Sequence, residues 1–368
     1  MDDRDPAAAL TGVSVVACSA RDREEQARLF NACFKKRIDA DGLRWRYDRS
    51  PHGASISFVS RTSDHGAVSG YACSPRLAWV HGDERTLAAV GETGDVMTHP
   101  AWRKRGLFSA LDRAAMAESR TRGWPVVFGL PNQRSAHIFV ELGWRAVGTV
   151  RPWTFVFRAD AAARAARSRE GRWKGLTTWL GARACAARRK SESAAAARVR
   201  SESLAHFPES VLTLAQQVAE RHAWMVRRDA AYLNWRFIDT PSRLHRAVGL
   251  YEDAALVGYV VVQVPRPGTF NGYLVDLLAR DESVERAAVE AGLQALESAG
   301  ASYAQATAID GSWWSRRLEA SGFLPPRGSN HLSVIVHPHQ ADHPLAVAAM
   351  DPARWYLTDG DRDDETMG

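Results

Sequence analysis

The chain has little cysteine and no long apolar run. Its four cysteines, Cys18, Cys33, Cys73 and Cys185, are scattered through 368 residues with no CxxC spacing. That speaks against a zinc ribbon or a disulfide framework, and a reducing, cytoplasmic setting is expected. No stretch approaches the ~20 apolar residues of a membrane-spanning helix. The best, Ala255 to Val264, is short enough to be one strand. The opening residues, MDDRDP, are acidic and carry no apolar segment, so no secretory signal is expected. A general excess of positive charge is missing too. The net charge is +6, but Arg158 to Arg200 alone holds twelve Lys/Arg against three Asp/Glu, +9, which leaves −3 for the remainder. Nucleic-acid binding therefore does not follow from the overall basicity.

What is present is a globular composition, 45% hydrophobic and 24% charged, in a chain long enough for two or three domains. The stretch from Glu92 to Gly123 organises it. A short apolar run, Val96-Met97-Thr98, stops at Pro100. A basic turn, Arg103-Lys104-Arg105-Gly106, follows. An amphipathic helix then runs through Leu107, Leu111, Ala114, Ala115 and Ala117, and ends at Gly123 with Pro125 beyond it. A strand, a tight basic turn and a helix N-terminus make an anion site, because free N–H groups and the positive end of the dipole point into the turn. Three consecutive cations suit a polyphosphate.

Strands are expected at 13–18, 55–60, 67–74 and 86–90, with a helix over 22–35. Beyond the central helix come a strand at 126–130, a helix from Asn132 to about Leu142, and closing strands from Arg145 to Phe157. The second half repeats this plan. Leu233 through Pro241, with its Asn-Trp-Arg-Phe, matches Leu43 through Pro51, with its Arg-Trp-Arg-Tyr. Asp276-Leu277-Leu278 matches Asp95-Val96-Met97, and Gly322-Phe323 matches Gly143-Trp144. Strands at 246–250, 257–264, 272–278 and 302–307 with helices at 283–299 and 312–321 complete a tandem duplication of one α/β module. The second copy lacks the basic turn. Asp281, Glu282 and Glu285 stand at its helix start and would repel a diphosphate.

The order Pro100-x-x-Arg103-x-x-Gly106 after a strand resembles the acetyl-CoA-binding turn of the GNAT acyltransferases, and the whole chain is similar to tandem-GNAT bacterial proteins. The resemblance implies an α/β fold of two tandem GNAT-like modules, each a mixed, mostly antiparallel twisted sheet flanked by helices. It implies that Arg103, Lys104, Arg105, Gly106, Leu107, Phe108 and Ser109 hold the CoA pyrophosphate, and that backbone groups of Met97 and Thr98 pair with pantetheine. It further implies that Asn132, Ser135 and Phe139 line the far end of the cofactor cleft. Phe108 stands where the family has a small residue, and Phe139 where it often has the tyrosine that protonates the departing thiolate. Tyr47, Tyr71 or solvent could take that part. Glu92 is the candidate base, with Asp95 and His99 behind it.

The expected layout is an acyl-CoA-binding module at 1–157, a basic Ala/Arg-rich helical linker at 158–203, a degenerate module at 204–340 and an acidic tail at 341–368, loose at its end. His337, His339 and His343 read as a strand end and loop rather than as a metal site. The expected activity is transfer of an acetyl group from acetyl-CoA, or another acyl-CoA, to an amine of a small molecule or amino sugar. Two alternatives remain open. One is an aminoacyl-tRNA-dependent transferase, with the linker and its Trp173 and Trp179 meeting RNA; the other is a non-catalytic acyl-CoA-binding module.

Overall fold

The computed structural model describes residues 12–157, Cys185, 199–325 and 331–362. Most of the basic linker, Trp173 and Trp179 included, lies outside the described residues. Contacts divide the chain into two units. The first takes the chain up to Ala78, then Thr86–Val147 and Ser333–Met350. The second takes Trp79–Arg85, Gly148–Leu332 and everything from Asp351 on. Each is a mixed α/β sheet packed with helices.

In the first unit the strand order is β1 (Val13–Ala17), β2 (Ile56–Thr62), β3 (Gly66–Val80), β4 (Asp83–Thr98), β5 (Val126–Gly129) and β13 (Leu332–Pro338). β1–β2, β2–β3 and β5–β13 are antiparallel, and β4–β5 is parallel. Helices accompany them, among them α1 (Arg23–Cys33), α2 (Ala40–Asp48), α3 (Leu107–Thr121) and α4 (Gln133–Glu141). α2 is capped by Asp39, whose side chain accepts from the Gly42 N–H at 2.8 Å. α3 buries Leu107, Leu111, Ala115, Met116 and Ser119, a stripe at helical spacing, against a core that includes Tyr71, Cys73, Trp124, Val127, Phe139 and Trp144. It stops at Gly123, at φ 74°, where the Trp124 N–H returns to the Ser119 carbonyl.

Two expectations are corrected here. The run at 86–90 and the run at 96–98 are one strand, β4, sixteen residues long. Gly91 is not a break between them: a Cβ there would meet the Cys73 sulfur at 2.7 Å and the Trp124 ring at 2.9 Å, so the glycine allows close packing inside the strand. Arg145 to Phe157 supplies not several closing strands but one, β6 (Arg145–Val156), which from Gly148 onward belongs to the second unit. The first unit's strand beside β5 is β13, from near the other end of the chain.

In the second unit the order is β6, β12 (Tyr303–Ile309), β11 (Asn271–Ala279), β10 (Ala255–Gln263), β9 (His245–Glu252) and β7 (Arg200–Leu204). Within this order only β11–β12 is parallel, and two short strands, β8 (Trp224–Val226) and β14 (Trp355–Tyr356), also pair in parallel. Here α5 (Val211–Ala219) and the short α6 (Ala230–Leu233) come between β7 and β9, α7 (Glu282–Ser298) joins β11 to β12, and α8 (Trp313–Ala320) follows β12. The sequence strand–strand–strand–helix–parallel strand–helix is that of the first unit. Residues 200–203, expected in the helical linker, form the edge strand β7 instead. The described part of the acidic tail is packed: α9 (Pro344–Ala348) belongs to the first unit, and Trp355 through Asp361 are buried in the second.

Candidate active site

β4 and β5 pair only at Gly91↔Val127, Glu92↔Phe128 and Thr93↔Gly129. β5 ends at Gly129 while β4 runs on to Thr98, which leaves a gap, the wedge, on that side of β4 among the described residues. Gly129 sits at its apex, where a Cβ would meet Thr93 Cγ2 at 2.4 Å. Asp95 has a left-handed φ of 46°, the mark of a bulge in β4. Alternation settles which backbone groups face the wedge. His99 donates to the Val68 carbonyl and Ser69 Oγ donates to the Met97 carbonyl at 2.7 Å, so positions 97 and 99 face β3. Val96 and Thr98 face the other way.

The basic turn follows at the wide end of the wedge. Pro100–Trp102 is one short helical turn, and the His99 imidazole accepts from the Ala101 N–H at 3.3 Å. Lys104 and Gly106 both take left-handed φ, 63° and 75°, which curls the backbone into a concavity of N–H groups. Gly106 is the N-cap of α3 and offers no side-chain cap, leaving the N–H groups of Leu107, Phe108 and Ser109 directed into the turn. Arg103, Lys104 and Arg105 are exposed. The Arg105 guanidinium lies 4.5 Å over the Trp102 ring, and Arg103 Nε reaches the Thr98 carbonyl at 3.4 Å. A diphosphate fits these uncapped donors and unburied cations.

Across the wedge, Asn132 caps α4 by accepting from the N–H groups of Arg134 and Ser135 at 3.0 and 3.2 Å, and the Ser135 hydroxyl also turns to it. Phe139 is 2% exposed and packs edge-on between Phe108 and Trp144, at 4.9 and 5.0 Å. It is a core residue here, and Phe108 is where it is because the two rings pack together.

The three carboxylate and imidazole candidates are not brought together. Glu92 is 2% exposed and pairs with Arg76, equally buried, at 3.2 Å. His99 stays with the turn. Asp95 is the one at the bulge. Its Oδ2 accepts from Arg46 Nη1 and from the Tyr47 hydroxyl, each at 2.5 Å. Among the described residues its Oδ1 accepts nothing. Tyr71 is committed elsewhere: its hydroxyl donates to Asp112 at 2.9 Å, and the Trp144 indole N–H donates to the same carboxylate at 3.2 Å. Burial pushes the Asp112 carboxyl up to about 6 and holds the Tyr71 hydroxyl well above its usual range.

Arg46, Arg76 and Asp112 were not among the site residues expected from sequence. Arg46-Tyr47 had a signal, the Trp-Arg segment repeated in both halves. Arg76 and Asp112 had none, since a single charge in an apolar strand or helix does not name its partner. His337 and His339 lie with ring centroids 4.9 Å apart, and His343 caps α9. Among the described residues no cluster of His, Cys, Asp and Glu could hold a metal ion, and no helix is long and apolar enough to cross a membrane.

Residues 6–147, less than half of the chain, match the family described as an acetyltransferase (GNAT) domain. The chain is similar in fold to a probable N-acyltransferase from Enterococcus faecalis, at 13% identity, 89% of this chain, 73% of that one and a TM-score of 0.60. It is also similar to a tandem GNAT protein from the clavulanic acid biosynthesis pathway, at 15% identity, 89% and 98% coverage and a TM-score of 0.54. A third similar structure is Saccharomyces cerevisiae N-myristoyltransferase with bound myristoyl-CoA, at 11% identity, 92% and 83% coverage and a TM-score of 0.59. These identities speak for the fold, that of GNAT proteins including a tandem one. No curated protein matches the chain by sequence.

Proposed function

We propose that the N-terminal unit transfers an acyl group from a CoA thioester, acetyl-CoA first, to an amine of a small molecule or amino sugar. The observation that carries this reading is the wedge: β4 loses β5 at Thr93, and the opening leads straight to the uncapped N-terminus of α3 and three exposed cations. The turn from Arg103 to Ser109 would hold the diphosphate. The free edge at Val96 and Thr98 would take the amide arm as an added strand is taken. When bound, the thioester supplies the electrophilic carbonyl carbon.

The chain's own groups then divide the proton work. Asp95, pinned by Arg46, presents Oδ1 to the attacking amine and takes the proton it sheds as the C–N bond forms. As the C–S bond breaks, Tyr47 yields its phenolic proton to the leaving sulfur; the phenol then regains a proton from solvent, and Asp95 Oδ1 loses its own to solvent. Glu92 serves as the buried partner of Arg76. Phe139 lacks a hydroxyl, which gives Tyr47 the acid's part. The test is thiol release from acetyl-CoA over a panel of amines, alongside calorimetric titration with CoA. Saturable binding with amine-dependent thiol release is expected. A protein that binds no CoA would end the proposal, and binding without turnover would reduce it to an acyl-CoA-binding module.

A further inference from the structure

The second unit has the same wedge. β11 and β12 pair only at Asn271↔Tyr303, Gly272↔Ala304 and Tyr273↔Gln305, while β11 continues to Ala279 and β12 to Ile309. This wedge is filled by the chain itself. Asp359 accepts from the Thr307 N–H on β12 at 2.7 Å and from the Thr307 hydroxyl. One residue earlier, the Thr358 hydroxyl donates to Asp276 on β11 at 2.6 Å. A backbone N–H that a neighbouring strand would have taken is thus answered by a side chain of the C-terminal segment, and so is a carboxylate on the opposite strand.

The segment is held at both ends, the first by the parallel pairing of Trp355 and Tyr356 with Trp224 and Met225. Arg228, fully buried, donates to Asp276 and to Asp361 at 2.8 Å. Arg236 donates to the carbonyls of Gly360, at 3.2 Å, and Arg362. Gly360 has no room for a side chain: a Cβ would stand 2.9 Å from the Phe237 ring and 3.1 Å from Asp276. Arg236 and Phe237 are the residues that match Arg46 and Tyr47 by internal repeat.

We propose that the wedge of the second copy is a peptide-binding cleft whose ligand is the chain's own segment Trp355–Arg362, seated where the first copy takes its acyl carrier. The segment closes the gap between the diverging strands, so the second copy needs no carrier and accepts none. The acidic start of α7 agrees with this, since Asp281, Glu282 and Glu285 crowd the place where a diphosphate would lie. The comparison with the first copy rests on the function proposed above; the filling of the cleft does not, and the decisive experiment reads the second unit alone.

In that experiment Thr358→Ala and Asp359→Ala are combined in the full chain, and hydrogen exchange is followed at β11 and β12. Exchange at 274–279 and 306–309 is expected to accelerate at least ~10-fold while the β4 and β5 amides stay as they were. A labelled peptide of sequence WYLTDGDR is expected to bind the double variant at least ~10-fold more tightly than the wild type, where the tethered copy competes at high effective concentration, and to restore the lost protection. Unchanged exchange, or a peptide that binds both proteins alike, would overturn the proposal. If the double variant does not fold, Thr307→Val, which removes the hydroxyl bond to Asp359 at nearly constant volume, is read by the same two measurements. Two equivalents of CoA bound per wild-type chain would overturn it as well.

Discussion

The Tyr47 hydroxyl donates to Asp95 Oδ2 at 2.5 Å, joining α2 to the bulge of β4 across 48 residues of sequence. Arg46 Nη1 reaches the same oxygen at the same distance, and both partners of that ion pair are only 11% exposed. One carboxylate oxygen is thus occupied, and under the proposed function the other takes the amine's proton. Tyr47→Phe removes a proton donor without changing volume. The expected result is a fall in kcat of about 10²-fold, the usual worth of a placed acid or base, with CoA affinity unchanged. Asp95→Asn should lower kcat at least as far. Thiol release and calorimetry separate the two quantities.

The basic turn makes a different prediction. Arg103→Ala combined with Arg105→Ala removes two exposed cations while the backbone N–H groups remain. CoA affinity should weaken by about tenfold, and the dependence of Kd on salt should flatten, because exposed charges act through a screened field. Titration at two ionic strengths reads both quantities.

Gly106→Ala tests the shape of that turn. A Cβ at Gly106 meets nothing within 4 Å, so the only cost is conformational. Holding alanine at φ 75° costs about 1–2 kcal/mol. Thermal unfolding should register a loss of that size, and CoA affinity should fall with it if the concavity relaxes.

Arg76 and Glu92 form an ion pair in which each side chain is 2% exposed. Removing one partner strands a charge, so Arg76→Met should destabilise the unit by about 3–5 kcal/mol. Arg76→Met with Glu92→Leu should recover most of that loss. A double variant no better than the single one would show that Glu92 is held by other groups. Denaturant midpoints decide between them.

Asp112 bears on pH. Its carboxyl lies at about 6 when folded, against 3.8 as the ordinary value, because burial disfavours the charged form. The folded chain therefore binds this proton more tightly than the unfolded chain does between those two values. This contribution costs nothing below pH 4, grows as pH rises, and is complete above 6, at about 3 kcal/mol for a shift of that size. Asp112→Asn still accepts from Tyr71 and Trp144 but has no charge to bury. The variant should be more stable than the wild type at pH 8 and nearly equal to it at pH 4. Urea denaturation at both values checks the sign.

Much of the plan was legible in the chain. α3 and its turn were readable because helix periodicity, a glycine stop and clustered cations are all local. The repeat was readable because Trp45-Arg46-Tyr47 and Trp235-Arg236-Phe237 keep their order. β4 was misread as two strands because Gly91 and Gly94 look like punctuation, and only the position of Cys73 and Trp124 explains the first. Phe139 was assigned to the cofactor by resemblance, whereas Phe108 and Trp144 place it in the core. The acidic tail gave no sign of packing, although Asp359 and Asp361 fasten its described part; its end, expected to be loose, lies outside the described residues.

Local chemistry, then, determined by itself where an anion could be gripped and that one module occurs twice. It could not determine which strand would lie beside β5, which carboxylate would face the bulge, or that the last described residues would enter the second wedge. Each of those depends on groups distant in sequence. Hydrogen-bonding partners such as Thr307 and Asp359, or Arg46 and Asp95, are chosen by the geometry of diverging strands, and that geometry exists only once the sheets are formed.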